Sequence, residues 1–197
     1  MGIEVRNAVA GDIPAISVTL AKAFADDPVK LFLVGGKQLP IARVTPFFTA
    51  FMDIQLPHGL VFTTAGYEAA SIWAPPGQWK IPDTQVVRKL PTFLRLYGWR
   101  LPRNLGVLTA LEKRHPKEPH YYLEFIGTAP EHQGKGAGSS MISPMLERAD
   151  DEGVGMYLES SKESNVPFYS RFGFKVTSTI THKHDGPTMW LMWRDPR

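Results

Sequence analysis

Gln133-Gly134-Lys135-Gly136-Ala137-Gly138 is the stretch on which the fold of this chain turns. It follows an apolar, strand-like run, Tyr121-Tyr122-Leu123-Glu124-Phe125-Ile126, and precedes a segment with helical spacing. Glycines at alternate positions leave backbone N–H groups uncovered by side chains. At the start of a helix, those N–H groups and the helix dipole together make an anion site. The ligand implied is a phosphate group. A P-loop does not fit, because Lys135 is followed by Gly136 where a magnesium-holding Ser or Thr belongs. A dinucleotide-binding turn fits poorly, since these glycines lie far from the N-terminus and the spacing to an acidic residue is wrong. On the glycines alone, a structural turn stays open as the alternative.

The rest of the composition narrows the setting. A chain of 197 residues with 43% hydrophobic content suits one domain with a full core. The formal charge of +3 is spread without a dense Lys/Arg block, a weak case for nucleic-acid binding. With no cysteine, disulfides, thiolate zinc sites and a cysteine nucleophile are excluded. Met1-Gly2-Ile3-Glu4-Val5-Arg6 lacks a signal-peptide layout, and no apolar run reaches membrane-spanning length. The expectation is a cytoplasmic protein without a membrane or nucleic-acid partner. A homodimer is left open.

Outward from the loop, periodicity predicts one mixed α/β domain over residues 1–197. A short strand covers Ile3 to Arg6. A helix opens at Gly11-Asp12-Ile13-Pro14, with Asp12 as N-cap, and ends at Asp26-Asp27-Pro28. A second helix runs from Ile41 to Leu56, and strands cover Leu60 to Thr64 and Ala69 to Ala74. Pro82 to Pro119 reads as helix broken by Pro91, Pro102 and Pro116. A helix follows the loop to about Asp151, irregular at Pro144, where an N–H is missing. Met156 to Glu159 is a strand, and Asn165-Val166-Pro167-Phe168-Tyr169 a short helix closed by Gly173. Phe174 to Thr181 and Thr188 to Trp193 form a hairpin through Asp185-Gly186-Pro187.

Two motifs in order carry a resemblance. Gln133-x-x-Gly136-x-Gly138 resembles the acyl-CoA pyrophosphate loop of the GNAT superfamily of N-acetyltransferases. Asn165-Val166-Pro167-Phe168-Tyr169-x-x-Phe172-Gly173-Phe174 resembles the second CoA-side motif of the same superfamily. Within it the likeness narrows to the puromycin N-acetyltransferase type. Pro116-Lys117-Glu118-Pro119, His132-Gln133-Gly134-Lys135-Gly136, Leu158-Glu159-x-Ser161 and Thr19-Leu20-Ala21-x-Ala23-Phe24-Ala25-Asp26 are similar to that type. The likeness is weakest from Val29 to Leu111. The resemblance implies a mostly antiparallel sheet flanked by helices, with splayed strands holding CoA.

It also implies acetyl transfer from acetyl-CoA to the primary amine of a small molecule, puromycin-like or otherwise, directly in a ternary complex. A peptide or protein amine is the alternative, as is a catalytically silent acyl-CoA sensor. Gln133, Gly134, Lys135, Gly136, Ala137, Gly138 and Ser139 would hold the pyrophosphate. Ile126, Gly127 and Thr128 would pair with the pantetheine arm, with an oxyanion donor near Ile126. Phe168 would line the CoA site, and Tyr169 would protonate the leaving thiolate. Asn165 either caps its helix or bonds the CoA arm.

Glu124 is the candidate base. A carboxylate inside an apolar strand is costly unless paired or solvated, and two-residue spacing places it on the face of Ile126. Glu159 and His120 are reserves. His182 and His184 share a strand face without a third ligand nearby, so they read as solvated and no metal is expected. Asp150-Asp151-Glu152 reads as a solvated turn. Trp79, Phe93, Tyr97 and Trp99 either line an acceptor pocket or pack against the core.

Overall fold

The computed structural model describes residues 3–36, 38–182 and 186–197. Seven strands form one sheet in the order β1-β2-β3-β4-β5-β7-β6. They are β1 (Val5–Asn7), β2 (Val61–Thr64), β3 (Ala69–Ala74), β4 (His120–Thr128), β5 (Gly155–Ser160), β6 (Lys175–Thr181) and β7 (Thr188–Arg194). Every pairing is antiparallel except β4 with β5. The helices are α1 (Ile13–Ala23), α2 (Pro28–Val34), α3 (Ile41–Gln55), α4 (Asp83–Tyr97), α5 (Leu101–Glu112), α6 (Ala137–Asp151) and α7 (Val166–Ser170). The expected fold class, a mostly antiparallel sheet flanked by helices with one splayed pair, is the one observed.

Strand alternation feeds two cores. Ala69 and Trp73 of β3 pack with Met141, Ile142 and Met145 of α6 on one face. Ala70 and Ile72 pack with Leu20 of α1 and Phe48 and Met52 of α3 on the other. Gly127 lets α1 close onto β4, since a Cβ there would lie 2.6 Å from the Ala23 Cβ.

Several local expectations are corrected. A helix not expected from the sequence follows the first: Asp27 accepts the Lys30 N–H and starts α2, with Pro28 at its first position. Asp12 is not a side-chain cap. Its carboxylate instead takes both Arg6 nitrogens at 2.6 and 2.9 Å, with Val9 N–H and the Tyr67 hydroxyl. These partners hold its pKa far below the usual carboxylate range, the Arg6 hydrogen bonds foremost. Pro91 does not break α4, and the segment turns at Gly98 and restarts with Pro102 in the first turn of α5. α6 runs to Asp151 as expected, with Pro144 inside it. Asp150 and Glu152 are paired rather than solvated. Asp150 takes both terminal nitrogens of buried Arg194, and Glu152 takes Arg148 and the Tyr121 hydroxyl. His182 is buried against Phe32 instead of lying on a solvated face. His184 and Asp185 lie outside the described residues.

Candidate active site

The parallel register of β4 and β5 ends at Leu123 opposite Leu158. Beyond that point each strand continues with its other neighbour, β4 along β3 to Thr128 and β5 along β7 to Ser160. The two facing edges diverge and open a cleft of about 750 Å³. That size suits a small molecule or cofactor, typically ~300–1,000 Å³.

One end of the cleft is built from backbone. Gln133, Gly134, Gly136, Ala137, Gly138 and Ser139 line it, along with Ile126, Gly127 and Thr128. Gly134 and Gly136 have φ of +76° and +89°, the left-handed region that glycine enters without strain. Gly136 is the N-cap of α6 and makes no side-chain cap. The first helical bond runs from Ser140 N–H to Gly136 C=O, so the N–H groups of 137–139 precede the ladder and are free for an anion. Gln133 faces this end with its side-chain amide on the Thr128 carbonyl at 3.1 Å. Lys135 does not join it. Its ammonium is 3.5 Å from the Glu131 carbonyl, and the residue lines a separate groove beside Ile3 and Thr64.

α7 supplies Asn165, Phe168 and Tyr169 to the same cleft. Asn165 is the N-cap of α7, yet its side chain makes no capping bond, which leaves the amide available to a ligand. Tyr169 is buried among Phe168 and Phe174. Burial, reinforced by the charge of Asp27, holds its phenol pKa well above the ordinary value. The hydroxyl therefore keeps its proton.

The other end carries the charge. Asp27, Glu124 and Glu159 line it, with Phe24 and Phe125 as apolar walls. Glu124 sits in a β-bulge: Ile72 pairs with Phe125 and Trp73 with Leu123, so Glu124 is the extra residue. The bulge breaks the alternation and re-aims the side chain. Ile126 packs toward α6, whereas Phe125 packs toward α1 and α3. Glu124 also turns to the α3 side, where Gln55 Nε2–H donates to its Oε1 at 2.7 Å. The expectation that Glu124 and Ile126 share a face is thus overturned by one inserted residue.

The three carboxylates differ in what they have left to offer. Asp27 accepts from Lys30 N–H and from the Ser161 hydroxyl, one oxygen each. Glu159 accepts from Tyr122 OH at 2.6 Å and Tyr157 OH at 3.1 Å, again one oxygen each. Glu124 Oε2 alone is buried with no partner. Burial pushes the Glu124 carboxyl up to about 8; the Gln55 bond opposes the rise and the nearby Glu159 adds to it.

Neither reserve base is placed to act. Glu159 is occupied by two phenols. His120 is buried away from the cleft, with Nδ1 on the Glu118 carbonyl at 2.6 Å and Nε2 on His115 Nε2 at 2.9 Å. Burial pushes His115 down to about 3 and lowers His120 as well, so the two rings pair as neutral imidazoles. Trp79 stacks on His115, while Phe93 and Tyr97 pack on Phe47 of α3. Trp99 projects into solvent, 83% exposed. None of these four lines the cleft. No group of three potential metal ligands occurs among the described residues, and none of their helices is long and apolar enough to cross a membrane.

Sequence reasoning missed Gln55, Asp27 and the two phenols on Glu159. Only Asp27 carried a local signal, as an Asp directly before Pro28.

Residues 68–174, more than half of the chain, match the model of the acetyltransferase (GNAT) family. That span holds both glycine-side motifs and Glu124. The chain is 28% identical to an uncharacterized N-acetyltransferase of Schizosaccharomyces pombe, over 95% of this chain and 81% of that protein. A solved structure described as a histone acetyltransferase and related acetyltransferase from Corynebacterium glutamicum superposes with a TM-score of 0.74 at 23% identity, covering 100% of this chain and 98% of the other. A polyamine N acetyltransferase of Drosophila melanogaster superposes with a TM-score of 0.66 at 16% identity, covering 98% and 100%. At these identities the two structures speak for the fold.

Proposed function

The chain belongs to the acetyltransferase (GNAT) family, and from that premise we propose that it moves an acetyl group from acetyl-CoA to the primary amine of a small molecule. The transfer is direct, within one ternary complex. The observation that carries this reading is Glu124 Oε2, the one carboxylate oxygen of Asp27, Glu124 and Glu159 that has no partner.

The residues divide the work. The N–H groups of 137–139 with Gln133, Gly134 and Gly136 would hold the pyrophosphate, and the open edge of β4 at Ile126–Thr128 would pair with the pantetheine arm. An aliphatic amine with a pKa of about 10.4 arrives protonated. Glu124 as carboxylate takes one proton, and the neutral nitrogen attacks the thioester carbonyl. The C–N bond forms and the C–S bond breaks. Tyr169 OH gives its proton to the departing sulfur and recovers one from the nitrogen, so the phenol ends as it began. The proton on Glu124 leaves to water. A phenol held protonated suits that donor role.

A small acceptor is supported by the shape of this end. Two contacts tie the α1–α2 turn across to the segment after β5, Asp27 to the Ser161 hydroxyl and Asp26 to Lys162. A turn tied across in this way suits a compact amine better than a passing peptide. The Drosophila structural neighbour is described as forming N acetylagmatine, a small-amine product. Puromycin remains one member of the acceptor class.

The test is acetyl transfer by the full chain over a panel of amines, puromycin, agmatine and a peptide N-terminus included, read as free CoA and as acetylated product by mass spectrometry. Acetylation of at least one small amine is expected. Tight acetyl-CoA binding with no acceptor used would point to a silent sensor, and transfer to the peptide alone would remove the small-molecule part.

A further inference from the structure

We infer that Gln55 is the positioning residue for the base: its amide fixes one oxygen of Glu124 and leaves the other as the carboxylate oxygen that meets the acceptor amine. This deepens the proposed function and rests on it. Gln55 is the last residue of α3 and is 1% exposed. Its Nε2–H reaches Glu124 Oε1 at 2.7 Å, and no described residue bonds Glu124 Oε2 or Gln55 Oε1.

The bulge aims Glu124 toward α3 but leaves its side-chain torsions free. The Gln55 bond removes that freedom. α3 is itself registered to the strand residue next to Glu124, since Phe47, Phe48 and Phe51 pack edge-on against Phe125 with centroids 5.8, 5.3 and 4.9 Å apart. The amide donor therefore cannot drift from the carboxylate without breaking that aromatic cluster.

The residue type matters as much as its place. A Lys or Arg at this point would favour the charged carboxylate strongly and make Glu124 a weak base. An apolar residue would leave both oxygens undirected and the carboxyl harder to ionise. A neutral amide orients the group with a modest pull toward ionisation. The other groups facing Glu124 are Glu159 from β5 and Tyr122 from β4, both engaged with each other at 2.6 Å. From α3 the facing group is Gln55.

The experiment is a ¹³C titration of the full chain with labelled glutamate, following the Glu124 carboxyl carbon, identified by its loss in Glu124→Gln. Removing a hydrogen bond to the charged form raises the pKa. In Gln55→Leu the midpoint is expected to rise by about one on the pH scale, with acetyl-CoA affinity unchanged. Gln55→Met, closer in shape, gives the same readout if the Leu variant does not fold. An unmoved midpoint in a folded variant overturns the inference, because a merely structural glutamine would lower thermal stability and leave the titration alone. Full acetyl transfer by Glu124→Gln on the panel amine would remove the base, and this role with it. That result is distinct from an unmoved titration.

Discussion

The two ends of the cleft are built by opposite means. The loop end is made of backbone contiguous in sequence: β4, the glycine turn and the first turn of α6, with α7 close behind. The carboxylate end is assembled from side chains far apart in the chain. Gln55 and Glu124 are 69 residues apart, and Asp27 and Ser161 are 134 apart. A backbone site needs only the conformation that local residues dictate. A side-chain site needs tertiary packing to bring its partners together. The difference teaches where each function is vulnerable: the loop to any residue that cannot hold its φ, the carboxylate end to loss of one polar atom.

Substitutions can pull the two ends apart. The largest effect is expected from Glu124→Gln, which keeps the shape and removes the base. Turnover should fall by about 10²–10⁴, with acetyl-CoA affinity unchanged by calorimetry. A parallel loss of affinity would show that the ends are not separable. Gly136→Asp should do the reverse, weakening CoA binding by roughly 100-fold or more. A Cβ there meets nothing within 4 Å, so crowding within the protein is not the cause. The cause is a carboxylate at an anion site plus a left-handed φ of +89°, which costs a non-glycine residue about 1–2 kcal/mol. Gly136→Ala isolates the backbone part and should cost about tenfold, by the same conformational penalty.

Tyr169→Phe lies between the ends. Its expected cost is about 10–100-fold in turnover with CoA affinity intact, since thiolate leaves adequately without an acid. Unaltered turnover would reject the acid role. The smallest effect belongs to the shared scaffold. Gly127→Ala forces a methyl to within 2.6 Å of Ala23 Cβ, and overpacking of this kind costs about 1–3 kcal/mol. A lowered melting temperature, read by thermal denaturation, is the predicted outcome.

What was legible in the sequence follows the same division. The glycine turn, α7, β3 and the β6–β7 pair are legible because their signals are local: clustered glycines, a proline near a helix start, short strand-forming runs bounded by turn residues. Glu124 stood out as a charge in an apolar strand, yet its direction was misread. A bulge is set by the partner strand β3, through the shift between Ile72 and Trp73, and period-two reasoning cannot register it. Gln55 gave no signal at all, being an ordinary residue in a helix that was itself foreseen. Pro91 misled in the other direction, because α4 tolerates a missing N–H on its exposed side. The aromatics of 79–99 were ambiguous for a similar reason: whether a ring packs or lines a cleft depends on α3 and His115, which lie elsewhere in the sequence.

The central claim is that Glu124 removes the proton that keeps the acceptor amine from attacking, and a pH–rate profile tests it most directly. A carboxyl held at about 8 is mostly protonated at neutral pH and becomes an active base as pH rises. In the wild type, kcat/KM for the acetylated amine should therefore climb through a limb near pH 8 and level off above it, after correction for the amine's own ionisation. In Glu124→Gln that limb should vanish, leaving only the ionisation of the amine. A limb near pH 8 that persists unchanged in Glu124→Gln would contradict the account.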